Sequence, residues 1–235
     1  MKAVILAGGF GTRMGDDTAA RPKPLVEVGG RPILWHILKI YESHGISDFV
    51  VCAGHAGHLI TEYFARERGE SWRVQVVDTG EATATGGRVR RAAQAIGSDT
   101  FCMTYGDGVA DVNIRDLLRF HRDHGKLVTV TAVQPRLPFG LVTFDADGDR
   151  VGFEEKPRAT SLWVNGGFFV VEPRALEYIN GDDEPWEEGP MTRIAAEGQL
   201  AALRHEGFWQ CMDAPRDRQA LEELWNRGEA PWKVW

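Results

Sequence analysis

Cysteine is scarce: Cys52, Cys102 and Cys211 are the only three in 235 residues. An odd, scattered set makes neither a disulfide framework nor a zinc site. Their apolar or aromatic neighbours predict buried free thiols in a cytoplasmic protein. Long apolar runs are also missing, which excludes a helical membrane span. The N-terminus enters a strand-like segment at once, without a signal-peptide pattern. Positive charge is in deficit, with 27 Lys and Arg against 34 Asp and Glu and a formal net charge of −7. Nonspecific nucleic-acid binding draws its affinity from phosphate neutralisation, so that balance argues against it while leaving room for a local basic site. No repeat, low-complexity tract or interdomain linker interrupts the chain. Neither familiar phosphate loop occurs: there is no Gly-x-Gly-x-x-Gly opening a helix, and no Gly-Lys-Ser/Thr closing a four-residue gap.

What the chain does contain is a different glycine loop near its start. Ala3 to Leu6 form an unbroken apolar run that suits a strand buried on both faces. Leu6 and Ala7 lead into Gly8, Gly9 and Gly11, where residues without a Cβ permit tight turning and close backbone approach to a ligand. Consecutive main-chain N–H groups in such a loop form a concave anion site. Thr12 adds a hydroxyl, and Arg13 and Lys23 add two positive charges. Together they make a cradle for a polyphosphate, although Gly-x-Gly alone equally suits a plain turn.

Downstream, Pro32 precedes Ile33, Leu34, Ile37, Leu38 and Tyr41 at helical spacing, and Gly45 ends that helix. Asp48 to Ala53 reads as a strand, Leu59 to Phe64 as a helix, Val74 to Val77 as a strand, Arg88 to Ala95 as a helix, and Phe101 to Tyr105 as a strand. This alternation predicts an α/β fold with a mainly parallel sheet flanked by helices. Leu127 to Val133, Leu141 to Phe144, Arg150 to Phe153 and Val164 to Val171 are further strands, and Asp147-Gly148-Asp149 marks a hairpin turn. Leu221, Leu224 and Trp225 mark a last helix. One α/β domain over residues 1–235 is the economical organisation.

Several side chains carry chemistry. Asp107, between Gly106 and Gly108, follows a strand whose carboxyl end faces the crevice where open α/β sheets bind ligands; an Asx-type turn explains the same residues. Asp213 suits an N-cap of the last helix or, paired with Asp107, a site for Mg2+, which takes a few carboxylates plus phosphate oxygens and waters. Glu155 and Lys156 sit at a strand end, where salt bridging is the alternative. Asn165 and Gly167 begin a strong strand and suit sugar hydroxyls or a bulge. Thr85-Gly86-Gly87 precedes a helix and reads as its cap. His55/His58 and His121/His124, at i,i+3 spacing without a third ligand, read as helix-surface or capping residues.

Taken as a string, Leu6 to Pro24 resembles the signature of the sugar-1-phosphate nucleotidyltransferases. Thr85-Gly86-Gly87, Gly106-Asp107-Gly108, Glu155-Lys156-Pro157 and Trp209-Gln210-Cys211-Met212-Asp213 follow in that family's order. The resemblance implies a Rossmann-like mixed sheet of the nucleotide-diphospho-sugar transferase fold. In it residues 1–112 are mainly the nucleotide half and 113–235 mainly the sugar-phosphate half. It implies Arg13, Lys23 and Lys156 as catalytic residues, with Lys156 on the sugar phosphate. Leu6, Ala7, Gly8, Gly9, Gly11, Thr12, Thr85, Gly86, Gly87 and Asp107 are implied for the nucleotide, and Tyr105, Gly106, Glu155, Asn165 and Gly167 for the acceptor. Asp107 and Asp213 are implied for Mg2+. The expected substrates are an NTP, with CTP preferred over dTTP, UTP or GTP, and a sugar 1-phosphate, with glucose 1-phosphate preferred. A homo-oligomer is expected, with no nucleic-acid or membrane partner. A noncatalytic nucleotide-sensing protein is the alternative from another class. The connection from Ala65 to Arg73 is shorter than the family pattern.

Overall fold

The computed structural model describes residues 1–18, 21–67, 70–137, 139–148, 151–155, 157–159 and 162–235. Seven strands form one sheet: β1 (Ala3–Ala7), β2 (Asp48–Ala53), β3 (Arg73–Asp78), β4 (Phe101–Tyr105), β5 (Val128–Val133), β6 (Val164–Val171) and β7 (Leu200–His205). Their order is β7-β5-β6-β4-β1-β2-β3, and only β6 runs antiparallel to its neighbours. The α-helices among the described residues are α1 (Ile33–Ser43), α2 (Gly57–Arg66), α3 (Thr85–Arg91), α4 (Ala93–Ile96), α5 (Ile114–His124), α6 (Pro190–Ala196) and α7 (Pro215–Asn226).

Both faces of the sheet are covered, which explains the unbroken apolar runs. All five residues of β1 are buried. Ala3, Ile5 and Ala7 pack with residues of α1, α2, α5 and α7, while Val4 and Leu6 pack with residues of α3, α4 and α6. Burying a side chain such as Ile5 contributes roughly 1.5–3 kcal/mol relative to exposure, so this strand is pinned from both sides. No helix of the described residues is long and apolar enough to cross a membrane.

The sheet extends further than the sequence pattern indicates. β7 is an edge strand that is only partly buried and carries two alanines, so it lacks the apolar signal of its partners. α5 shows in the sequence only through the i,i+3 spacing of His121 and His124. The Asn113 side chain accepts from the N–H groups of Arg115 and Asp116, and Gly125, at φ +64°, ends the helix. Its His121 is not a surface residue: it is buried between Thr129 and Glu172, at 2.8 and 3.1 Å. His124 does cap locally, accepting from the Lys126 N–H at 2.9 Å.

The helix expected over Arg88 to Ala95 starts earlier and is broken in two, with Thr85-Gly86-Gly87 forming the first turn of α3. Cys52 and Cys102 are buried free thiols, whereas Cys211 is half-buried. Leu141–Phe144 pairs antiparallel with Val151–Glu154, and Asp149 and Arg150 of that hairpin lie outside the described residues.

Candidate active site

The site begins where β1 and its parallel neighbour β4 end. The Gly106 N–H donates to the Leu6 carbonyl at 2.9 Å, so the two strand ends and their loops emerge side by side. After β4 the chain turns through Asp107 into Gly108–Ala110, which pairs antiparallel with Trp209–Cys211. The Met212 N–H then donates to the Asp107 carbonyl at 2.8 Å. This short ladder brings Asp213 beside Asp107, although the two are more than a hundred residues apart in the chain. Asp213 is not the cap of α7: Ala214 holds that position, and the Asp217 carboxylate accepts from the N–H groups of Asp213 and Ala214.

Lys23 joins the two acids. Its ammonium donates to Asp107 Oδ2 at 2.7 Å and to Asp213 Oδ1 at 2.6 Å, and the side chain is nearly buried. Burial alone would lower its pKa, but the two carboxylates hold it above the ordinary lysine value. Asp213 shows the converse: burial pushes its pKa up, yet Lys23 and Arg13 keep it below the ordinary value. The exposed Arg13 guanidinium donates to Asp213 Oδ1 at 3.1 Å. Gly11, at φ +66°, turns the chain toward this cation.

A cleft of about 530 Å³ opens here. Of the residues expected for the nucleotide and its phosphates, Leu6, Ala7, Gly8, Gly9, Gly11, Arg13, Lys23, Thr85 and Asp107 line it. Tyr105, Gly106 and Asn165, expected for the acceptor, and Asp213, expected for the metal, line it as well. Thr12 is exposed and does not line it. Gly86 and Gly87 are buried away from it: a Cβ on Gly86 would lie 2.6 Å from the Glu184 carbonyl, and one on Gly87 2.3 Å from that of Asp182. Their small size serves the packing of α3 against that segment. Glu155 is exposed after the hairpin and outside the cleft lining, and Lys156 lies outside the described residues.

Of the other residues expected for the acceptor, Gly167 (φ +78°) underlies the Tyr105 ring, which lies 2.6 Å from where a Gly167 Cβ would stand. The Gly167 N–H donates to Asn165 Oδ1 at 2.8 Å, and Asn165 Nδ2 donates to the Tyr105 hydroxyl at 3.1 Å. The pairing of β6 with β5 shifts register between Asn165 and Phe169, so the expected bulge is present at this amide.

Sequence reasoning missed Arg88 as a cleft residue. It is buried and donates to the carbonyls of Gly8 (2.9 Å), Gly80 (2.7 Å) and Glu81 (3.0 Å) and to Thr79 Oγ1 (2.8 Å). One guanidinium thus ties the glycine loop to the turn after β3. Burial lowers its pKa from the ordinary arginine value. The available signal was its place in the turn of α3 next to Thr85. Trp209 also lines the cleft, and its indole N–H donates to the Gly166 carbonyl at 2.7 Å.

Comparison with known proteins agrees with this architecture. The profile of the nucleotidyl transferase family matches residues 2–209. The chain belongs to the nucleotidyl transferase family. This nucleotidyl transferase is an enzyme 46% identical to the glucose-1-phosphate cytidylyltransferase of Salmonella typhi, each chain being covered in full. That alignment spans 257 positions against 235 residues here, so the relative carries residues that this chain lacks. It is also 31% identical to mannose-1-phosphate guanyltransferase beta-B of Xenopus laevis, over 92% of this chain and 62% of that one. The structure of HddC from Yersinia pseudotuberculosis complexed with GMP-PN shares the fold, with a TM-score of 0.76 at 20% identity, covering 95% of this chain and 99% of that one.

Among the described residues, no group of three or more His, Cys, Asp or Glu is arranged to hold a metal ion. The paired carboxylates of Asp107 and Asp213 nonetheless fit Mg2+, which completes its shell with water and phosphate oxygens. Two acids already converge on one cation there, beside the glycine loop.

Proposed function

We propose that this sugar-1-phosphate nucleotidyltransferase joins CTP and glucose 1-phosphate to give CDP-glucose and pyrophosphate. The observation that carries the reading is the Lys23 ammonium held between Asp107 and Asp213 beside the glycine loop and Arg13. The preference for cytosine and glucose rests on the full-length likeness to a glucose-1-phosphate cytidylyltransferase.

In the reaction, a phosphate oxygen of the sugar phosphate bonds to the α-phosphorus of the NTP, and the bond from that phosphorus to the bridging oxygen of the β-phosphate breaks. The pyrophosphate takes the electron pair. The attacking oxygen is already anionic near neutral pH, so no general base is needed, and catalysis is positioning and charge stabilisation. The amides of Gly8, Gly9 and Gly11 and the Arg13 guanidinium cradle the triphosphate. Lys23 neutralises the reacting phosphates. Tyr105 and Asn165 orient the acceptor, and Lys156 is assigned to its phosphate. Asp107 and Asp213 would hold Mg2+, which when bound supplies positive charge to the phosphates.

The cytoplasm suits this reading, because Cys52 and Cys102 are buried free thiols. A homo-oligomer is part of the proposal, supported by the exposed Phe144, Val151 and Phe153 of the hairpin, and light scattering on the purified protein tests it. The decisive experiment offers all common NTPs at equal concentration with glucose 1-phosphate and Mg2+, read by product mass. A dominant CDP-hexose is expected. A dominant dTDP-, UDP- or GDP-hexose overturns the base, product only with another sugar phosphate overturns the acceptor, and nucleotide binding with no turnover across a broad panel overturns the reaction.

A further inference from the structure

Glu187 has no part in the chemistry described above. It stands on the loop before α6, outside the cleft lining, yet it touches two residues that line the cleft. One carboxylate oxygen accepts from the Tyr105 hydroxyl, and the other accepts from the Thr85 hydroxyl at 2.7 Å. Thr85 Oγ1 also accepts from the Trp186 N–H at 2.8 Å, and the Tyr105 hydroxyl accepts from Asn165 Nδ2 at 3.1 Å.

A hydroxyl, aliphatic or phenolic, has one proton to donate and otherwise accepts. In both Tyr105 and Thr85 the proton is committed to Glu187 and one lone pair is occupied. Each can therefore only accept from a ligand and has nothing to donate. Burial, and then the Glu187 carboxylate, raise the pKa of the Tyr105 phenol, so its proton stays in place at neutral pH. A phosphate oxygen, which only accepts, finds no partner on such a wall; a sugar hydroxyl, which donates, does.

Resting on the reaction proposed above, we infer that Glu187 is a positioning residue. It holds Tyr105 as an acceptor for a hydroxyl of the sugar phosphate, with Thr85 clamping its second oxygen. The charges across the cleft act in the same sense. Arg13 and Lys23 attract the phosphate end of the acceptor, while the Glu187 carboxylate repels it and favours the hydroxyl end. The acceptor is thereby oriented end to end.

Glu187→Ala releases both hydroxyl protons, and the freed phenol proton can turn toward the cleft. The KM for glucose 1-phosphate is expected to rise about tenfold or more, the size of one misplaced hydrogen bond. Glu187→Gln, which keeps one acceptor oxygen, should lie between Glu187→Ala and the wild type. In a Tyr105→Phe background the same Glu187→Ala change should alter that KM by less than about threefold, because the group it acts through is gone. An undiminished effect in the Tyr105→Phe background, or a lowered melting temperature with unchanged KM, overturns the inference and leaves Glu187 a strut for its loop. If the folded wild type turns over no substrate pair, the proposed reaction fails, and calorimetric titration of glucose 1-phosphate decides the role of Glu187 separately. Weaker binding to Glu187→Ala than to wild type supports the inference; equal binding, or none to either, overturns it.

Discussion

At the scale of single residues, the site is a balance of charges that no one residue holds alone. The two acids hold the Lys23 pKa above the ordinary lysine value, and Lys23 and Arg13 hold that of Asp213 below its own. Asp107→Ala and Asp213→Ala should each lower kcat by about 10²-fold or more while the protein stays folded, since each removes one of the two carboxylates proposed to hold Mg2+. Near-normal turnover of either variant at limiting Mg2+ would assign that acid a structural role only. Arg88 makes a different case. Its guanidinium spans five acceptors in three chain segments, a geometry that the single ammonium of lysine cannot reproduce. Arg88→Lys should therefore raise the KM for the NTP about tenfold or more through a displaced glycine loop, and an unchanged KM would show that the loop holds itself.

Elements impose constraints of another kind. α3 approaches the segment around Asp182 so closely that a Cβ at Gly87 meets main-chain oxygen, which cannot swing aside as a side chain can. Gly87→Ala should cost about 1–3 kcal/mol. The melting temperature should then fall by roughly 2–10 °C, with thermal unfolding as the check. An unaltered melting temperature would mean that α3 can slide. The same close approach explains a difference from the sequence pattern. Gly-Gly after Thr85 reads locally as a turn, because glycine is a poor helix former, and only the packing on the Asp182 segment makes it the first turn of a helix. β7 escaped detection for a related reason, since an edge strand buries too little to show an apolar run.

For the whole molecule, the chain end is tied to its beginning. Trp232 is fully buried, stacks on Phe208, and donates its indole N–H to His36 Nδ1 at 3.4 Å; His36 Nε2–H donates to the Val28 carbonyl at 2.8 Å. Burial lowers the His36 pKa from 6.5 to about 4, against the opposing pull of that carbonyl. The folded state therefore binds this proton less readily than the unfolded chain. Stability is whole above pH 6.5 and is lost progressively as the pH falls from 6.5 toward 4, by roughly 3 kcal/mol at most. Denaturant unfolding from pH 7.5 down to pH 4.5 should show that decline. His36→Gln should flatten it, whatever its stability at pH 7.5, and an equal slope in both proteins would exonerate the histidine.

The sequence by itself determined the parallel core and the chemistry of the loop. β1, β2 and β4 are buried on both faces and announce themselves as apolar runs, and a glycine loop bearing Arg13 and Lys23 is local in the chain. Local patterns record local needs, so these were legible. Only the tertiary structure decided that Asp107 and Asp213 share one ammonium, because the ladder that joins them pairs segments a hundred residues apart. It alone placed Arg88 under Gly8 and Glu187 between Thr85 and Tyr105. Hydrogen bonds between distant segments leave no periodicity in either one, and a buried polar side chain resembles an exposed one until its partners arrive.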